Sequence, residues 1–266
     1  MQARALFGSL FLASMLGVST HASADGGPPW LGIAMDTKDG AVVVAHVVSG
    51  SPADKACIAT GDHIEKVDGT HVSTPEEVQR LVASHQPGDS VSVRVDHAGS
   101  GSTLRVKVAP RPTIDEMLRM DHVGKPAPAW IGVEQATPGA PLSTTTLKGR
   151  VALVEFWATW CGPCKMSGPE LARLQARYGA QGLTVVGITT DSKTTAGEYA
   201  ERNSLGFAAV SDPTAMTTRA YGVAVLPTLF VIDKRGIVRD VAVGYAPENA
   251  THVESLVNKL LAEPSP

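Results

Sequence analysis

The sequence predicts an α/β domain with a mixed sheet in its C-terminal half, preceded by a smaller and mostly β unit. At 266 residues, the chain is long enough for about two domains of roughly 100 to 200 residues each. From residue 151 to 261, strand-like apolar runs alternate with helix-like segments, which is typical of α/β layer folds. The segment Pro110-Arg111-Pro112 ends the preceding strand, because proline cannot donate to a sheet ladder, and marks a domain boundary.

Short strands and one helix are predicted over residues 28–111. A run of mostly β-branched residues from 41 to 48 predicts a strand. Residues 91–95 and 104–108 alternate apolar with polar side chains, and the Gly-containing segment 97–101 between them predicts a hairpin turn. This unit is therefore expected to be mostly β.

The helix of this unit is expected to begin after Thr74, its N-cap. Pro75 suits the first helical position, and Glu77 completes a capping box with the threonine. One face of the helix then carries the apolar side chains Val78, Leu81 and Val82.

A linker is expected over residues 112–122, with a short helix capped by Thr113, and the second domain over 123–266. A mixed central sheet flanked by helices is predicted for that domain. Its strand and helix candidates are, in order, residues 151–157, 162–178, 183–189, 194–203, 228–232, 237–243 and 247–261.

Composition and charge exclude two classes of partner. The chain is 43% hydrophobic and 18% charged, with a net charge of −3 and no run of Lys or Arg. We therefore expect no binding to nucleic acid or to anionic lipid.

The first 24 residues have the pattern of a secretory signal peptide. Arg4 supplies a positive charge, residues 5–18 form an apolar run, and Ala22-Ser23-Ala24 is a small-x-small cleavage site. The pattern predicts a mature chain from Asp25 in the periplasm. The alternative is an uncleaved N-terminal anchor, although the run is shorter than the ~20 residues that span a bilayer. No later segment is apolar enough to predict a stable membrane span.

Two of the three cysteines lie in the pentapeptide Trp160-Cys161-Gly162-Pro163-Cys164, which follows the apolar run 151–157. This places both thiols where a strand is expected to turn into a helix, whose N-terminus favours a thiolate. Cys161 is the expected nucleophile. A structural zinc site needs four ligands, and no second Cys-x-x-Cys or His pair accompanies these cysteines, so we expect neither metal nor cofactor.

Residues 154–165 closely resemble the active-site turn of the thioredoxin superfamily, Pro169 matches its helix-kinking proline, and Leu226-Pro227-Thr228 is similar to its cis-proline segment. The opening 124–128 and the additional strand and helix over 183–203 make the domain similar to exported TlpA/ResA-like thioredoxins. The resemblance implies a thioredoxin-like fold and thiol-disulfide exchange.

In that reaction Cys161 would attack a client disulfide and Cys164 would resolve the mixed disulfide. Pro227 would hold its loop beside the disulfide, and Trp160 would form an apolar rim or serve only in packing. The spacer Gly162-Pro163 resembles that of reducing thioredoxins, so a reductase is expected, with an oxidase or isomerase as the alternative.

The resemblance also places Glu155 where thioredoxins carry a buried acid that takes the proton of the second cysteine. A carboxyl among apolar neighbours is desolvated, which raises its pKa. Two differences weaken the match: the acid is Glu rather than Asp, and the lysine that faces it in thioredoxins aligns with Gly187. The alternative is an acid that reaches solvent at the strand end.

Five segments of the first unit resemble the bacterial PDZ domains of HtrA-like proteases. The resemblance implies that Trp30, Leu31, Gly32 and Ile33 form the loop whose backbone N–H groups hold a peptide carboxylate, with Val78 and Leu81 walling the groove. Alternatively, Ile33, Val78 and Leu81 fill a small core, and for Val82 both interpretations stay open. No serine in a nucleophile elbow supports proteolysis. The five segments are residues 30–33, 50–56, 61–64, 67–69 and 87–89.

Cys57 occupies a position where this PDZ pattern usually has glycine as a left-handed helix stop. It is expected to be a buried small thiol, or alternatively to form an intermolecular disulfide or a link to the active site. His46, His63 and His71 show no ligand spacing and are interpreted as surface or strand residues.

Together these features predict an exported thiol-disulfide oxidoreductase whose PDZ module binds C-terminal or extended peptides. The resemblance implies disulfide-containing client proteins and a membrane thiol-reductant transporter as partners. The alternative from another class is a PDZ-dominated adaptor or chaperone-like protein with a sensory dithiol.

Overall fold

The computed structural model describes residues 27–264, and the predicted signal peptide at 1–24 lies outside this range. Two units are present, an N-terminal mostly β unit and a C-terminal α/β unit, as the sequence predicts. Within residues 27–264, no helix combines the length and apolar character needed to cross a membrane.

The N-terminal unit is built on an antiparallel sheet. Its strands lie in the order β2-β3-β4-β6-β7, with β5 paired to β4, while β1 and β8 form a separate two-stranded ribbon. The predicted hairpin is the β6–β7 pair, which runs in register from Ser90 opposite Lys107 to His97 opposite Ser100. The elements are β1 (Pro29–Trp30), β2 (Ile33–Lys38), β3 (Ala41–Val47), α1 (Pro52–Lys55), β4 (His63–Val67), β5 (Thr70–His71), α2 (Pro75–Ala83), β6 (Ser90–His97), β7 (Ser100–Lys107) and β8 (Ala109–Pro110).

Helix α2 begins with the predicted capping box. The Glu77 backbone N–H donates to Thr74 Oγ1 at 3.3 Å, and the Thr74 N–H donates to the Glu77 carboxylate, also at 3.3 Å. Hydrogen bonds from the backbone and hydroxyl of Ser73 hold the pKa of Glu77 below its usual range. The helix packs on the sheet through Val78 and Val82, which are both buried.

Residues 112–122 require a correction to the linker prediction. The predicted helix is present as α3 (Ile114–His122), with Thr113 and Glu116 forming a capping box. It is more than a connection, because Leu118 is buried in the core of the C-terminal unit and the His122 ring lies edge-on to Phe230 at 5.3 Å. An apolar face packed on the next domain therefore makes the helix part of that domain.

The other side of α3 contacts the N-terminal unit. Asp121 accepts hydrogen bonds from His46 Nε2 at 2.7 Å and from the Ser49 backbone N–H at 2.9 Å, and Lys125 Nζ donates to Ser49 Oγ. The Asp121 carboxylate raises the pKa of His46. His46 is thus an exposed strand residue as expected, but it also joins the two units, which its lone position in the sequence does not indicate.

The C-terminal unit is a six-stranded mixed sheet in the order β14-β13-β10-β11-β12-β9. Strands β10, β11 and β12 are parallel, and β13, β14 and β9 pair antiparallel with their neighbours. Strands β9 and β12 and helix α6 were not predicted, because they are short and their sequences show little periodicity. The elements are β9 (Glu134–Gln135), β10 (Val151–Trp157), α4 (Cys164–Tyr178), β11 (Leu183–Thr189), α5 (Lys193–Arg202), β12 (Ala208–Ser211), α6 (Met216–Ala220), β13 (Thr228–Ile232), β14 (Val238–Val243) and α7 (Pro247–Ala262).

Strand β10 is central and all seven of its residues are buried. Helices α4 and α7 cover one face of the sheet, and α3 with the residues after α6 covers the other. A strand with both faces covered is nearly continuous in apolar residues, which is why this run was evident in the sequence. Its register places Glu155 opposite Gly187 of β11 and Leu229 of β13.

Candidate active site

A disulfide joins Cys161 and Cys164 where the chain passes from β10 into α4. Cys164 is the first residue of the helix, and its backbone N–H donates to Cys161 Sγ at 3.2 Å. No side chain caps this helix start, so the sulfur occupies the position of a capping acceptor. The helix N-terminus and this N–H both favour negative charge on Cys161 once the disulfide is reduced.

The two cysteines face different spaces. Cys161 lines an open groove of about 400 Å³ together with Trp160, Pro163, Val223 and Leu226. Trp160 is 73% exposed, so it forms a rim to the groove rather than part of the core. Cys164 lies behind the groove, on a second cavity lined by Glu155 and Trp157. A client disulfide can therefore approach Cys161 from the groove, with Cys164 behind it.

The Leu226–Pro227 peptide is cis, as the resemblance implies. Leu226 lines the groove beside Cys161, while Pro227 is buried and faces a cavity of about 50 Å³ that also contacts Glu155. Thr228 pairs with Phe156 in the sheet, which ties this loop to the strand that carries the active-site turn.

Glu155 lies on β10 beneath the first two turns of α4, and only 3% of its surface is exposed. The alternative that it reaches solvent at the strand end is therefore wrong, because the strand continues to Trp157 and α4 covers it. Burial raises its pKa to about 7, with a smaller opposing effect from the Ser167 hydroxyl. The register confirms that Gly187 stands opposite, so no lysine faces the carboxyl from that position.

The N-terminal unit has a cavity of its own, of about 270 Å³, between α2 and β2, and we call it the α2 groove. Trp30, Leu31, Gly32 and Ile33 line it, together with Val78. Gly32 adopts φ +90°, and a Cβ at this position would lie 2.1 Å from the Ser51 Cβ. Only glycine therefore fits the loop, in its conformation and in its space.

The helical wall of the α2 groove needs a correction. Leu81 packs against the domain core and is not among the residues that line the groove, whereas Gln79 and Val82 are. Successive helical residues turn by about 100°, so Val78 and Val82 lie about 40° apart, and Leu81 lies about 100° from Val82 toward the core. Arg111 also lines the groove; it follows the last strand of the unit, so no local pattern indicated it.

Cys57 adopts φ +62°, the left-handed conformation that the PDZ pattern predicts for this position. Its side chain is exposed, so the expectation of a buried thiol is wrong. The residue ends the short turn after α1 and points away from the core formed by Ala53 and Ile58. Over residues 27–264, no group of three or more His, Cys, Asp or Glu side chains is arranged to hold a metal ion.

Comparison with known proteins agrees with this geometry. The family model described as Redoxin matches residues 122–260, which is just over half of the chain. The chain belongs to the Redoxin family. A model for the PDZ domain matches residues 29–108 of this Redoxin-family chain.

Curated relatives resemble the C-terminal unit. The chain is 32% identical over 137 residues to the thiol-disulfide oxidoreductase ResA of Geobacillus thermodenitrificans, covering 50% of this chain and 78% of that protein. It is 33% identical over 146 residues to the thiol:disulfide interchange protein DsbE of Pseudomonas aeruginosa, covering 53% and 79%.

A solved DsbE structure from Chlorobium tepidum has 31% identity and a TM-score of 0.48, covering 53% of this chain and 98% of that one. With the Cys161–Cys164 disulfide, the relatives make this Redoxin-family protein a thiol-disulfide oxidoreductase of the ResA/DsbE type. The predicted family, fold class and enzyme type are thereby confirmed.

Proposed function

We propose that this protein is an exported reductase that transfers electrons from the Cys161–Cys164 dithiol to disulfides of client proteins. The observation that carries the proposal is the placement of Cys161 on an open groove, with Cys164 and the buried Glu155 behind it. This arrangement separates the group that meets the client from the groups that complete the exchange.

The exchange has two steps. The Cys161 thiolate attacks one sulfur of the client disulfide, forming a mixed disulfide, while the other client sulfur leaves and takes up a proton. Cys164 then gives its proton to the Glu155 carboxylate and attacks Cys161 Sγ. The Cys161–Cys164 bond forms, and the second client thiolate leaves and is protonated. The client gains two electrons, which a thiol donor such as a membrane reductant transporter must supply again to the protein.

The local structure can supply the activation of Cys161. Lowering a thiol pKa from ~8.5 to ~7 corresponds to about 2 kcal/mol. A helix N-terminus contributes about 0.3 to 2 kcal/mol, and the Cys164 N–H adds a hydrogen bond to the charged sulfur. Glu155 suits the role of proton acceptor for Cys164, because a pKa of about 7 lets the carboxyl exchange protons near neutral pH.

The direction of electron flow rests on the spacer between the cysteines. Gly162 and Pro163 add no charge beside the sulfurs, which resembles reducing thioredoxins. We expect a reduction potential close to that of thioredoxin, about −270 mV, measured by equilibration with glutathione or dithiothreitol. A value near about −180 or −120 mV would instead indicate an isomerase or an oxidase.

The reductase activity is tested by insulin-disulfide reduction. Wild type should reduce insulin, and Cys161→Ser should not, because the attacking sulfur is lost. Equal, near-zero rates for both proteins would favour the adaptor interpretation. A Cys57→Ala variant is the matched control, since it removes a cysteine outside the active-site turn.

The N-terminal unit is proposed to hold peptides of client or partner proteins in the α2 groove. Trp30, Ile33 and Val78 offer apolar surface to a side chain, the backbone N–H groups of the loop at 30–33 are proposed to hold a terminal carboxylate, and Arg111 adds a positive charge to the groove lining. We expect fluorescence anisotropy to show binding of peptides with a free C-terminus and weaker binding of their amides. Holding a client in this way raises its local concentration at Cys161.

Export is proposed from the leader pattern at residues 1–24. N-terminal sequencing of protein recovered from the periplasm should begin at Asp25. A chain that retains Met1 and sediments with membranes would support the uncleaved anchor instead.

A further inference from the structure

A carboxylate that the exchange steps do not use holds the segment that carries the attacking cysteine. Strand β10 ends at Trp157, whose indole packs over Gly187: a Cβ there would lie 2.6 Å from its Nε1. Residues 159–163, which we call the turn segment, then leave the sheet and lead into α4. The carboxylate of Asp191, in the loop after β11, accepts a hydrogen bond from the Thr159 backbone N–H at 2.8 Å.

The other hydrogen bonds of the turn segment are local. The Cys161 N–H donates to the Ala158 carbonyl at 3.0 Å, which closes a tight turn, and the carbonyls that follow accept from the first turn of α4. Among the residues that the structure describes, the bond between Thr159 and Asp191 is therefore the one hydrogen bond that ties the turn segment to another strand end.

Asp191 is itself held from two strands. Its Oδ2 atom also accepts from the Thr189 hydroxyl at 3.1 Å, and its backbone N–H donates back to that hydroxyl at 3.1 Å. Its carbonyl accepts from the Ser211 hydroxyl at 2.6 Å. Thr189 and Ser211 are buried at the ends of β11 and β12. A carboxylate fixed in this way holds the turn segment at little further cost in side-chain entropy.

The disulfide and the Asp191 hydrogen bond restrain the same segment. In the oxidised protein the bond between Cys161 and Cys164 closes a short loop, so the turn segment is held against the helix start in any case. Reduction opens this loop, and the Thr159 hydrogen bond is then the remaining link to the neighbouring strand end. The contact of the Cys161 sulfur with the Cys164 N–H, at 3.2 Å, thus depends on Asp191 most strongly in the reduced state.

The charge of Asp191 acts in the opposite direction to its hydrogen bond. A nearby carboxylate disfavours a thiolate, whereas a turn held at the helix start favours it. The lining of the groove in front of the attacking sulfur carries no charged side chain, and Glu155, Cys164 and Lys165 line the cavity behind it. Charge and hydrogen bond are therefore separated by comparing two variants that both lack the charge.

We propose that Asp191 is a positioning residue, which keeps Cys161 at the start of α4 while the dithiol is reduced and so maintains the thiolate that attacks the client. It acts through the Thr159 N–H and takes no part in proton or electron transfer, so the two exchange steps stay as described. The inference rests on the proposed role of Cys161 as the attacking thiol.

The test measures the pKa of Cys161 in full-length reduced protein from the pH dependence of its alkylation by iodoacetamide. A Cys57→Ala background removes the exposed thiol. Asp191→Asn keeps an oxygen that can accept from Thr159, and Asp191→Ala does not, so the difference between them isolates the hydrogen bond. At pH 7 we expect the thiolate population, and the rate of first attack on a disulfide peptide, to be about 3-fold to 10-fold lower in Asp191→Ala than in Asp191→Asn, the effect of one hydrogen bond.

A redox equilibrium separates positioning from a plain contribution to stability. Equilibration with dithiothreitol should shift Asp191→Ala toward the disulfide by a similar factor relative to Asp191→Asn, because the lost bond matters more in the reduced state. Ser192→Ala is the matched control. It removes the acceptor of the Thr195 N–H, at 3.1 Å, at the start of α5, so it weakens a helix cap on the same loop and should leave the Cys161 pKa and the equilibrium unchanged.

A measurement on wild type needs no variant. The Thr159 amide proton should exchange slowly with solvent in the reduced protein, as measured by NMR. Fast exchange would show that the bond to Asp191 is lost when the disulfide opens, which overturns the proposal.

The remaining outcomes separate the positioning role from the proposed function. Equal alkylation profiles and equal redox equilibria for Asp191→Asn and Asp191→Ala overturn the positioning role, even if their melting temperatures differ, and leave the dithiol chemistry in place. Only a Cys161→Ser protein that still reduces disulfides would overturn Cys161 as the attacking thiol.

Discussion

The buried carboxyl of Glu155 predicts how stability depends on pH. Burial raises its pKa from the ordinary value of 4.5 to about 7 in the folded protein. Because the folded state binds the proton more tightly than the unfolded chain, the group favours folding below pH 4.5, and this contribution is lost as the pH rises through 7. At 1.36 kcal/mol for each factor of ten in the proton equilibrium, the loss is about 3 kcal/mol.

Glu155→Gln should remove this dependence, since an amide does not titrate. We expect wild type to lose about 2.5 kcal/mol of unfolding free energy relative to Glu155→Gln between pH 5 and pH 8, since a small part of the effect is already lost at pH 5. The measurement is urea denaturation of the oxidised full-length protein, followed by near-ultraviolet circular dichroism, at both pH values. Oxidised protein keeps cysteine titration out of the comparison, because Cys161 and Cys164 are bonded.

Glu254→Gln is the matched control on the surface of the same unit. Hydrogen bonds from Arg173 and Tyr178 lower the pKa of Glu254 to about 2. Its contribution is therefore present above pH 4.5 and lost as the pH falls toward 2, so its removal should not change the difference between pH 5 and pH 8. Parallel pH dependences of wild type and Glu155→Gln would refute the conclusion that burial holds the Glu155 proton.

Three further predictions concern other parts of the molecule. Cys164→Ser should trap the client on Cys161 as a mixed disulfide, visible as a shifted band in non-reducing electrophoresis; release of the client at the wild-type rate would contradict its resolving role. Asp121→Asn should lower the pKa of His46 toward 6.5 in NMR titrations, because the carboxylate is what raises it; an unchanged titration would show that the two units do not meet there. Gly32→Ala should destabilise the N-terminal unit by at least about 1 to 3 kcal/mol in thermal denaturation, since its Cβ would overlap that of Ser51 at φ +90°. A wild-type melting temperature for Gly32→Ala would contradict the loop geometry.

Much of the C-terminal unit was predictable because its signals are local. Strand β10 has the bounds predicted from its apolar run, and the active-site turn and the cis-proline lie where their motifs place them. The capping boxes at Thr74 and Thr113 are also local, since each involves residues three apart in the chain. For Leu81 the sequence left both the groove and the core open, because a helix face defined by sequence spacing does not say which of the two it meets.

The sequence alone determined the redox centre, the family and the longer strands and helices of the C-terminal unit, because these depend on short motifs and periodicity. Only the tertiary structure decided what surrounds them: Arg111 at the α2 groove, His46 against Asp121, and the Trp157 indole above Gly187. The physical reason is that the groups that meet at these places come from segments far apart in the chain, and their energies arise only when packing removes water from around them.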